Sequence, residues 1–530
     1  MKKLNNTDRL LNLIWSQWGL IFLFLILCAC IGFADFSTKG EPREALVAAD
    51  MLRSGNWILP IDLSGDMAYK PPMFHWLIAI FSLPAGHVTE FTARIPSALA
   101  LTLLSWITAI FCCGRDRQHE HKKFGILATL LMLTCFEIFR AGTVCRVDML
   151  LTLFIVSAMY FLFRSCHSDK RLIFLLSATL CMSGGTLTKG PVAILLPLGS
   201  YWIYRLIKKD NFLKTTGICL CLMIVAIILP ALWYYAAYEQ GGDKFLKLAM
   251  EENFGRFLGH MTYDSHIKPL WYNFTSLLSG WLPWSLILLL SLILLRKTKI
   301  NISATLRHPL QSIRNTRPEA MFAIIAATVI FIFYCIPKSK RSVYLLPMYP
   351  FMAYGIALYA TCLIQQKLLK ATTLKRLISA TLILFILGFG AIFPIYSKHD
   401  SDKIKAAEIS DIIPSGPIYS FIPARFMRYY ITDFYLGQRI VSLLPSGQVS
   451  DSPKIPDASQ MRLPDAKTFY LLTSADFIKH PEKDHGLHNW LHKNNLASEI
   501  LYTSDSKTHD VRSPLILLKI YSDTTTKQSK

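Results

Sequence analysis

Residues 11–33 read LNLIWSQWGLIFLFLILCACIGF, an apolar run preceded by Lys2, Lys3 and Arg9. A helix of about 20 residues crosses the hydrocarbon core of a bilayer, and this run has that length. It is longer than the apolar core of a secretory signal, and no small-x-small cleavage site closes it. The run therefore reads as an uncleaved first transmembrane helix with its N-terminus inside. Working outward, further runs of the same kind lie at 94–113, 123–139, 148–164, 171–187, 190–206, 215–237, 273–295, 319–336, 342–364 and 377–396.

Composition agrees. Of 530 residues, 52% are apolar and only 17% charged, against roughly 25% charged in ordinary soluble domains. A water-soluble protein of this size could not bury so much apolar surface behind so few charges, which excludes a cytoplasmic enzyme and a secreted disulfide scaffold. The expected fold class is an α-helical polytopic membrane protein with about 11–13 transmembrane helices and a small external α/β domain at its C-terminal end.

The formal net charge is +21, from 56 Lys and Arg against 35 Asp and Glu. In a polytopic chain such an excess follows from the insertion bias that gathers positive residues in cytoplasmic loops. From an inside N-terminus, alternate loops should be basic, and they are. Arg115, Arg117, Lys122 and Lys123 occupy one; Arg164, Lys170 and Arg171 the next; Arg205, Lys208, Lys209 and Lys214 the third. Residues 296–317, then Lys367, Lys370, Lys375 and Arg376, continue the series. The alternation places the C-terminal domain outside and leaves no need for nucleic acid as a partner. All 12 cysteines lie between Cys28 and Cys362, in or beside apolar runs, and read as small packing residues rather than as disulfides or zinc ligands.

Two external loops are long, at about 34–93 and 238–272. Loops of this length are usually functional or disordered. Their aromatics, among them Trp57, Tyr69, Phe74, Trp76, Phe257, Trp271 and Tyr272, suggest short helices at the membrane surface instead of disorder. The division is thus a membrane domain over residues 1–396 and a soluble α/β domain over 397–530, where TFYLLT (468–473) and 514–521 read as strands and 487–498 as helical.

Charges on the external side of such a protein are expensive and mark function. Four clusters stand there. Gly40-Glu41-Pro42-Arg43-Glu44 offers Glu41 as a base toward an incoming hydroxyl, though acids at a helix start are also ordinary. Asp66 to Trp76 aims Lys70 by way of Pro71 and Pro72; a lysine at membrane depth suits a lipid-linked phosphate, and equally snorkels. Arg146-Val147-Asp148 enters a helix from a very short loop, where Asp148 is either a cap or a second acid facing the same cavity. Lys338, Lys340 and Arg341, followed by Tyr344, sit where the positive-inside rule disfavours cations, which points to an anionic partner unless the span is misplaced. Lys189, in a tight break between two spans, joins Arg256 and His266 of the second long loop as candidates, with interfacial anchoring as the alternative for all three. Together the clusters fit transfer of a group from a phosphate-activated lipid to a hydroxyl. A lipid or anion transporter is the competing class, but transporters place charges near the midplane and show repeated halves.

These residues resemble a known family. Gly40-Glu41-Pro42-Arg43-Glu44-Ala45, Ser54-Gly55-Asn56-Trp57-x-x-Pro60 and Tyr69-Lys70-Pro71-Pro72 look like the signature of the aminoarabinose transferase and protein mannosyltransferase superfamily. Arg94-x-Pro96-Ser97, Arg146-x-Asp148, Leu187-Thr188-Lys189-Gly190-Pro191 and Lys340-x-x-x-Tyr344-x-x-Pro347 continue it in order, and Glu252-Asn253-x-x-Arg256 with His266-x-x-Pro269-x-Trp271 resemble its second external loop. The resemblance implies a GT-C membrane glycosyltransferase of the bacterial inner membrane, acting on the periplasmic face with an undecaprenyl-phosphate sugar and inverting the anomeric centre. Its acceptor would be lipid A or another glycolipid, with protein as the alternative. It implies Glu41 and Asp148 as the acids, Lys70 near the lipid phosphate and Tyr344 against the donor. With the external charges read above, Glu41 is the first expectation for the group that binds or deprotonates the acceptor and Asp148 the second; Lys189, Lys338, Lys340 and Arg341 join Lys70 at the phosphate, and Arg43, Tyr69, Arg146, Arg256 and His266 line the substrate cavity. Two positions depart from the aminoarabinose transferases: Gly40 stands where an acid commonly precedes Glu41, and Tyr69 where some have an acid that joins a loop histidine at a metal. His266 is then the one possible ligand, and since a lone histidine is a poor metal site, no obligatory protein-held metal is expected.

Overall fold

The structure, a computed structural model, describes residues 17–68, 70–114, 119–255, 267–295, 317–421, 429–444, 458–479 and 486–522. Among these, seven helices are long and apolar enough to cross a membrane: Glu90–Cys113, Val147–Ser165, Arg171–Lys189, Phe212–Asn253, Pro318–Cys335, Ser342–Gln365 and Ala371–His399. The count rises to nine if each of two bent helix pairs is one span, and the shorter apolar helices Gly19–Ile31 and Val192–Ile207 occupy the first and sixth expected positions.

The two bent pairs depart from straight spans for a physical reason. Residues 123–139 divide into Glu120–Leu133 and Phe136–Gly142, bent by 79°. The second piece carries Glu137 and Arg140, which a lipid-facing helix could not expose. The turn draws Glu137 into the protein, where it is buried, and Trp284 Nε1 donates to Thr134 Oγ1 at the bend (2.9 Å). Residues 273–295 likewise become Tyr272–Gly280 and Trp284–Ser291, bent by 101° around Pro283, whose ring ends a helix.

Helices Glu90–Cys113 and Val147–Ser165 form the centre of the bundle, buried along most of their length. Close approach there relies on small residues, as expected where lipid removes the hydrophobic drive between helices. A Cβ on Gly184 would lie 2.7 Å from the Phe154 ring, so only glycine lets Arg171–Lys189 approach Val147–Ser165 this closely. The long Phe212–Met250 helix does the reverse, exposing Leu220, Ile224, Ile228 and Leu232 outward. Such a face is stable only against hydrocarbon.

The first long loop folds as two helices, Gly40–Ser54 and Met73–Ser82. The second begins as a continuation of Phe212–Met250, interrupted at Gly242, whose φ of 58° lies in the left-handed region that glycine tolerates. Tyr69, Arg256 and His266 lie outside the described residues.

The soluble domain is a five-stranded mixed sheet in the order β2-β1-β3-β5-β4, with β1 (Ile418–Ser420), β2 (Ile440–Ser442), β3 (Thr468–Ser474), β4 (Leu496–Thr503) and β5 (Leu515–Ser522). The β3 and β5 runs are as expected. The helix read over 487–498 is shorter, Leu487–Lys493, because Asn495 takes φ 51° and the chain then pairs with β5 as β4. The domain docks on the membrane part through Phe36, whose N–H donates to Tyr435 Oη (2.8 Å) and whose ring meets Phe434 edge-on at 4.9 Å. Ser401 donates to Asp35 (2.7 Å), and Gln438 donates to Asp50 (2.9 Å).

Candidate active site

Three of the four charge clusters, those of Glu41, of Asp148 and of Lys340 with Arg341, meet at one end of the bundle, at the exit of Gly19–Ile31, the start of Gly40–Ser54, the start of Val147–Ser165 and the turn before Ser342–Gln365. They surround a cavity of about 700 Å³ whose wall includes Glu41, Arg94, Arg140, Arg146, Asp148, Lys268, Lys340 and Arg341, a usual size for a ligand site. The opposite wall is apolar, with Cys30, Ala34, Phe136, Phe389 and Phe393.

Glu41 sits on the first turn of Gly40–Ser54, buried at 4% exposure. Both of its oxygens are engaged. Arg94 Nε donates to Oε1 (2.7 Å) and Nη2 to Oε2 (3.1 Å), and the Cys145 N–H also donates to Oε1 (2.9 Å). Arg94 in turn donates to the Ile31 and Ala34 carbonyls at 3.1 and 2.6 Å, tying the first span to this helix. A bidentate arginine–carboxylate pair of this kind fixes geometry as well as charge.

Asp148 sits in the first turn of Val147–Ser165 at 4% exposure. Its Oδ1 pairs with Lys189, while Oδ2 has Arg146 Nε at 3.9 Å, too long for a hydrogen bond. Lys189 also lies over the Tyr344 ring, 4.6 Å from its centroid, and Tyr344 stacks on Tyr334 at 5.4 Å.

Behind this cavity Glu44 forms a second centre. Lys70 and Arg43 both bond its Oε1, and His75 Nε2 meets Oε2 at 2.9 Å. Burial works to raise the Glu44 carboxyl, but Lys70, His75 and Arg43 outweigh it and hold the group well below the usual carboxylate range. Lys70, Lys189, Arg43 and Tyr344 therefore support the site from the side without lining the cavity. Lys338 is exposed, and its carbonyl accepts from the Lys268 N–H (3.2 Å).

Lys340 is 4% exposed, with Nζ bonded to the Pro337 carbonyl. Burial, and then the neighbouring Arg146, lowers Arg341 from its ordinary value, while Asp148 works to raise it. Cations are thus crowded together in this wall beyond what the local acids balance, an arrangement suited to an anion.

Residues not singled out from the sequence complete the site. Arg94 lay inside a quoted motif, and its position at the head of an apolar span was the available signal. Glu137 holds Arg140 (2.7 Å) and accepts from Ser342 Oγ (2.8 Å); their i,i+3 spacing within an apolar run was the corresponding sign. Lys268 had no signal beyond a polar loop. Among the described residues no group of three or more His, Cys, Asp or Glu could hold a metal ion.

Comparison with known proteins bears on this geometry. The family model described as dolichyl-phosphate-mannose-protein mannosyltransferase matches residues 69–235. An undecaprenyl phosphate-alpha-4-amino-4-deoxy-L-arabinose arabinosyl transferase of Proteus mirabilis is 25% identical over 378 residues, 68% of this chain and 63% of that protein. One from Shewanella sediminis is 28% identical over 336 residues, 62% of this chain and 56% of its own. The match therefore spans less than two thirds of either relative. Among solved structures, ArnT from Cupriavidus metallidurans bound to undecaprenyl phosphate superposes with a TM-score of 0.68 at 18% identity, covering 95% of this chain and 98% of that one, a shared fold.

Proposed function

We propose that this chain, which resembles the aminoarabinose transferase and protein mannosyltransferase superfamily in motif order and in fold, is a membrane glycosyltransferase. It moves a sugar from a polyprenyl-phosphate donor to an acceptor of the cell envelope, lipid A or a similar glycolipid, on the periplasmic face of the bacterial inner membrane. The alternation of basic loops supports that orientation, and the names of the relatives support the donor class.

The observation that carries the reading is an acid with one unengaged oxygen beside a crowded cationic wall in the same cavity. Asp148 Oδ2 accepts the proton of the acceptor hydroxyl. The acceptor oxygen attacks the anomeric carbon as its bond to the phosphate oxygen breaks, with inversion. The departing polyprenyl phosphate takes the electron pair, and Lys340 and Arg341 balance the charge it gains. Lys189 orients Asp148 through Oδ1, and the apolar wall at Phe136, Phe389 and Phe393 receives lipid. Glu41 shapes the cavity through Arg94 rather than accepting a proton. No protein-held metal enters this reading.

A protein acceptor is the second reading, favoured by the mannosyltransferase model over residues 69–235. The test is purified chain in nanodiscs with labelled polyprenyl-phosphate sugar, given lipid A or envelope protein. Release of polyprenyl phosphate with label on lipid A supports the first reading, and label on protein the second. Movement of intact donor across vesicles without release would sink both.

A further inference from the structure

The place where the transferred sugar would be read is shaped by a glycine. Gly40 opens the helix Gly40–Ser54, immediately before Glu41. A Cβ there would overlap Nη1 of Arg146 and lie 3.0 Å from its Cζ. Arg146 reaches this place from the residue that precedes Val147–Ser165, with extended backbone at φ −145° and ψ 140°. Its guanidinium thus lies against the first turn of the Glu41 helix, in the wall that also holds Asp148.

Two features follow for any ligand. The start of a helix carries partial positive charge, so a guanidinium there adds cation to an already positive end. The acids that line the cavity among the described residues, Glu41 and Asp148, are both paired with cations. A substrate group beside Gly40 therefore meets a planar fork of donors, and the one oxygen of these two acids without a hydrogen bond, Asp148 Oδ2, has Arg146 Nε 3.9 Å away and is the oxygen that takes the acceptor proton. An ammonium would be repelled in a cavity poorly screened by water. A pair of hydroxyls or a carboxylate matches the fork bidentately.

We infer that Gly40 is a specificity position, which makes the room from which Arg146 reads the transferred sugar, and that this sugar carries no cationic group. The inference rests on the transferase reading above. It narrows the donor to a polyprenyl phosphate bearing a neutral or carboxylated sugar.

The test uses the full chain in nanodiscs with bound labelled polyprenyl phosphate, displaced by donors that differ at one atom. The matched pair is polyprenyl-phosphate arabinose and its 4-amino-4-deoxy counterpart, with a hexuronate donor as the third arm. The expected result is at least tenfold tighter binding of the neutral sugar over the amino sugar at pH 7. Gly40→Asp, which displaces the flexible end of Arg146 and adds a carboxylate, narrows or reverses that ratio, each donor being referred to the variant's own affinity for polyprenyl phosphate alone. Arg146→Gln narrows it in the same direction and serves should Gly40→Asp fold poorly. The hexuronate arm decides between neutral and acidic sugar. Equal or tighter binding of the amino donor by the unaltered chain overturns the inference and leaves the transferase standing, as does a ratio that neither variant moves. Failure of all three donors to displace polyprenyl phosphate sinks both.

Discussion

The two buried acids of the cavity should fail in different ways when each is made neutral. Asp148→Asn removes the proton acceptor but keeps the shape. Its partner Lys189 is 24% exposed and lies over Tyr344, so the freed ammonium retains water and a ring face. General-base removal costs about 10²- to 10⁴-fold in rate, with little change in stability. Glu41→Gln is the opposite case. The Arg94 and Glu41 side chains are 2% and 5% exposed, and the amide would present an NH2 group to one of two guanidinium donors. Breaking a buried pair by removing one partner costs about 3–5 kcal/mol, which at 1.4 kcal/mol per decade is a hundredfold or more in the folded ratio. Both are read in one experiment, with thermal unfolding in detergent beside single-turnover release of polyprenyl phosphate. Asp148→Asn should melt like the unaltered chain while its rate falls at least a hundredfold, and Glu41→Gln should melt earlier. An Asp148→Asn variant with more than a tenth of the rate, or a Glu41→Gln variant of normal stability and no activity, would refute the division of roles.

Three further outcomes follow. Replacing Arg341 by Ala should weaken binding of polyprenyl phosphate about tenfold or more and lower the turnover rate, since a charge-assisted contact is worth roughly 1.5–3 kcal/mol; unchanged binding in a displacement assay counts against the cationic wall as the phosphate site. Tyr435→Phe keeps the ring against Phe36 but removes the hydroxyl that accepts from the Phe36 N–H and donates to Glu90 (3.1 Å). Its expected cost is about 1–3 kcal/mol, seen as faster proteolytic separation of the soluble domain, and an unaltered cleavage rate would contradict the docking described. Burial pushes the Asp510 carboxyl up to about 7, against hydrogen bonds from Thr432 and Ile431. The folded chain then holds a proton that the unfolded chain sheds near pH 4. This group's contribution is greatest below that pH and is lost as pH rises through 7, so the soluble domain should melt higher at pH 5 than at pH 8, with Asp510→Asn flattening the difference.

Much of the fold was legible because each span is a local matter. The run at residues 319–336 appears as Pro318–Cys335, and that at 171–187 as Arg171–Lys189. The bent pairs were not legible, since hydropathy averages over Glu137 and Arg140 and records no direction. Asn495 shows the same limit in the soluble domain: a helical period over 487–498 gave way to a strand once β5 offered a partner. For the site, the charged clusters were visible as costly departures from an apolar background. Which cation meets which acid was not. Lys70, read as a phosphate ligand, is bonded to Glu44, and Arg94, read as part of a motif, holds Glu41.

The sequence by itself determined that the chain lives in a bilayer, where most of its spans run, and that opposite charges collect in loops between them. Each of these depends on transfer of a single segment from water to lipid, a free energy that adds residue by residue. Only the tertiary structure decided which charges are neutralised and which stay available to a substrate. That outcome depends on pairs such as Glu41 with Arg94 and Asp148 with Lys189, and on the space left by Gly40 for Arg146. Such pairs join residues far apart in the chain, and the strength of each is set by distance and desolvation, which exist only once the helices have packed.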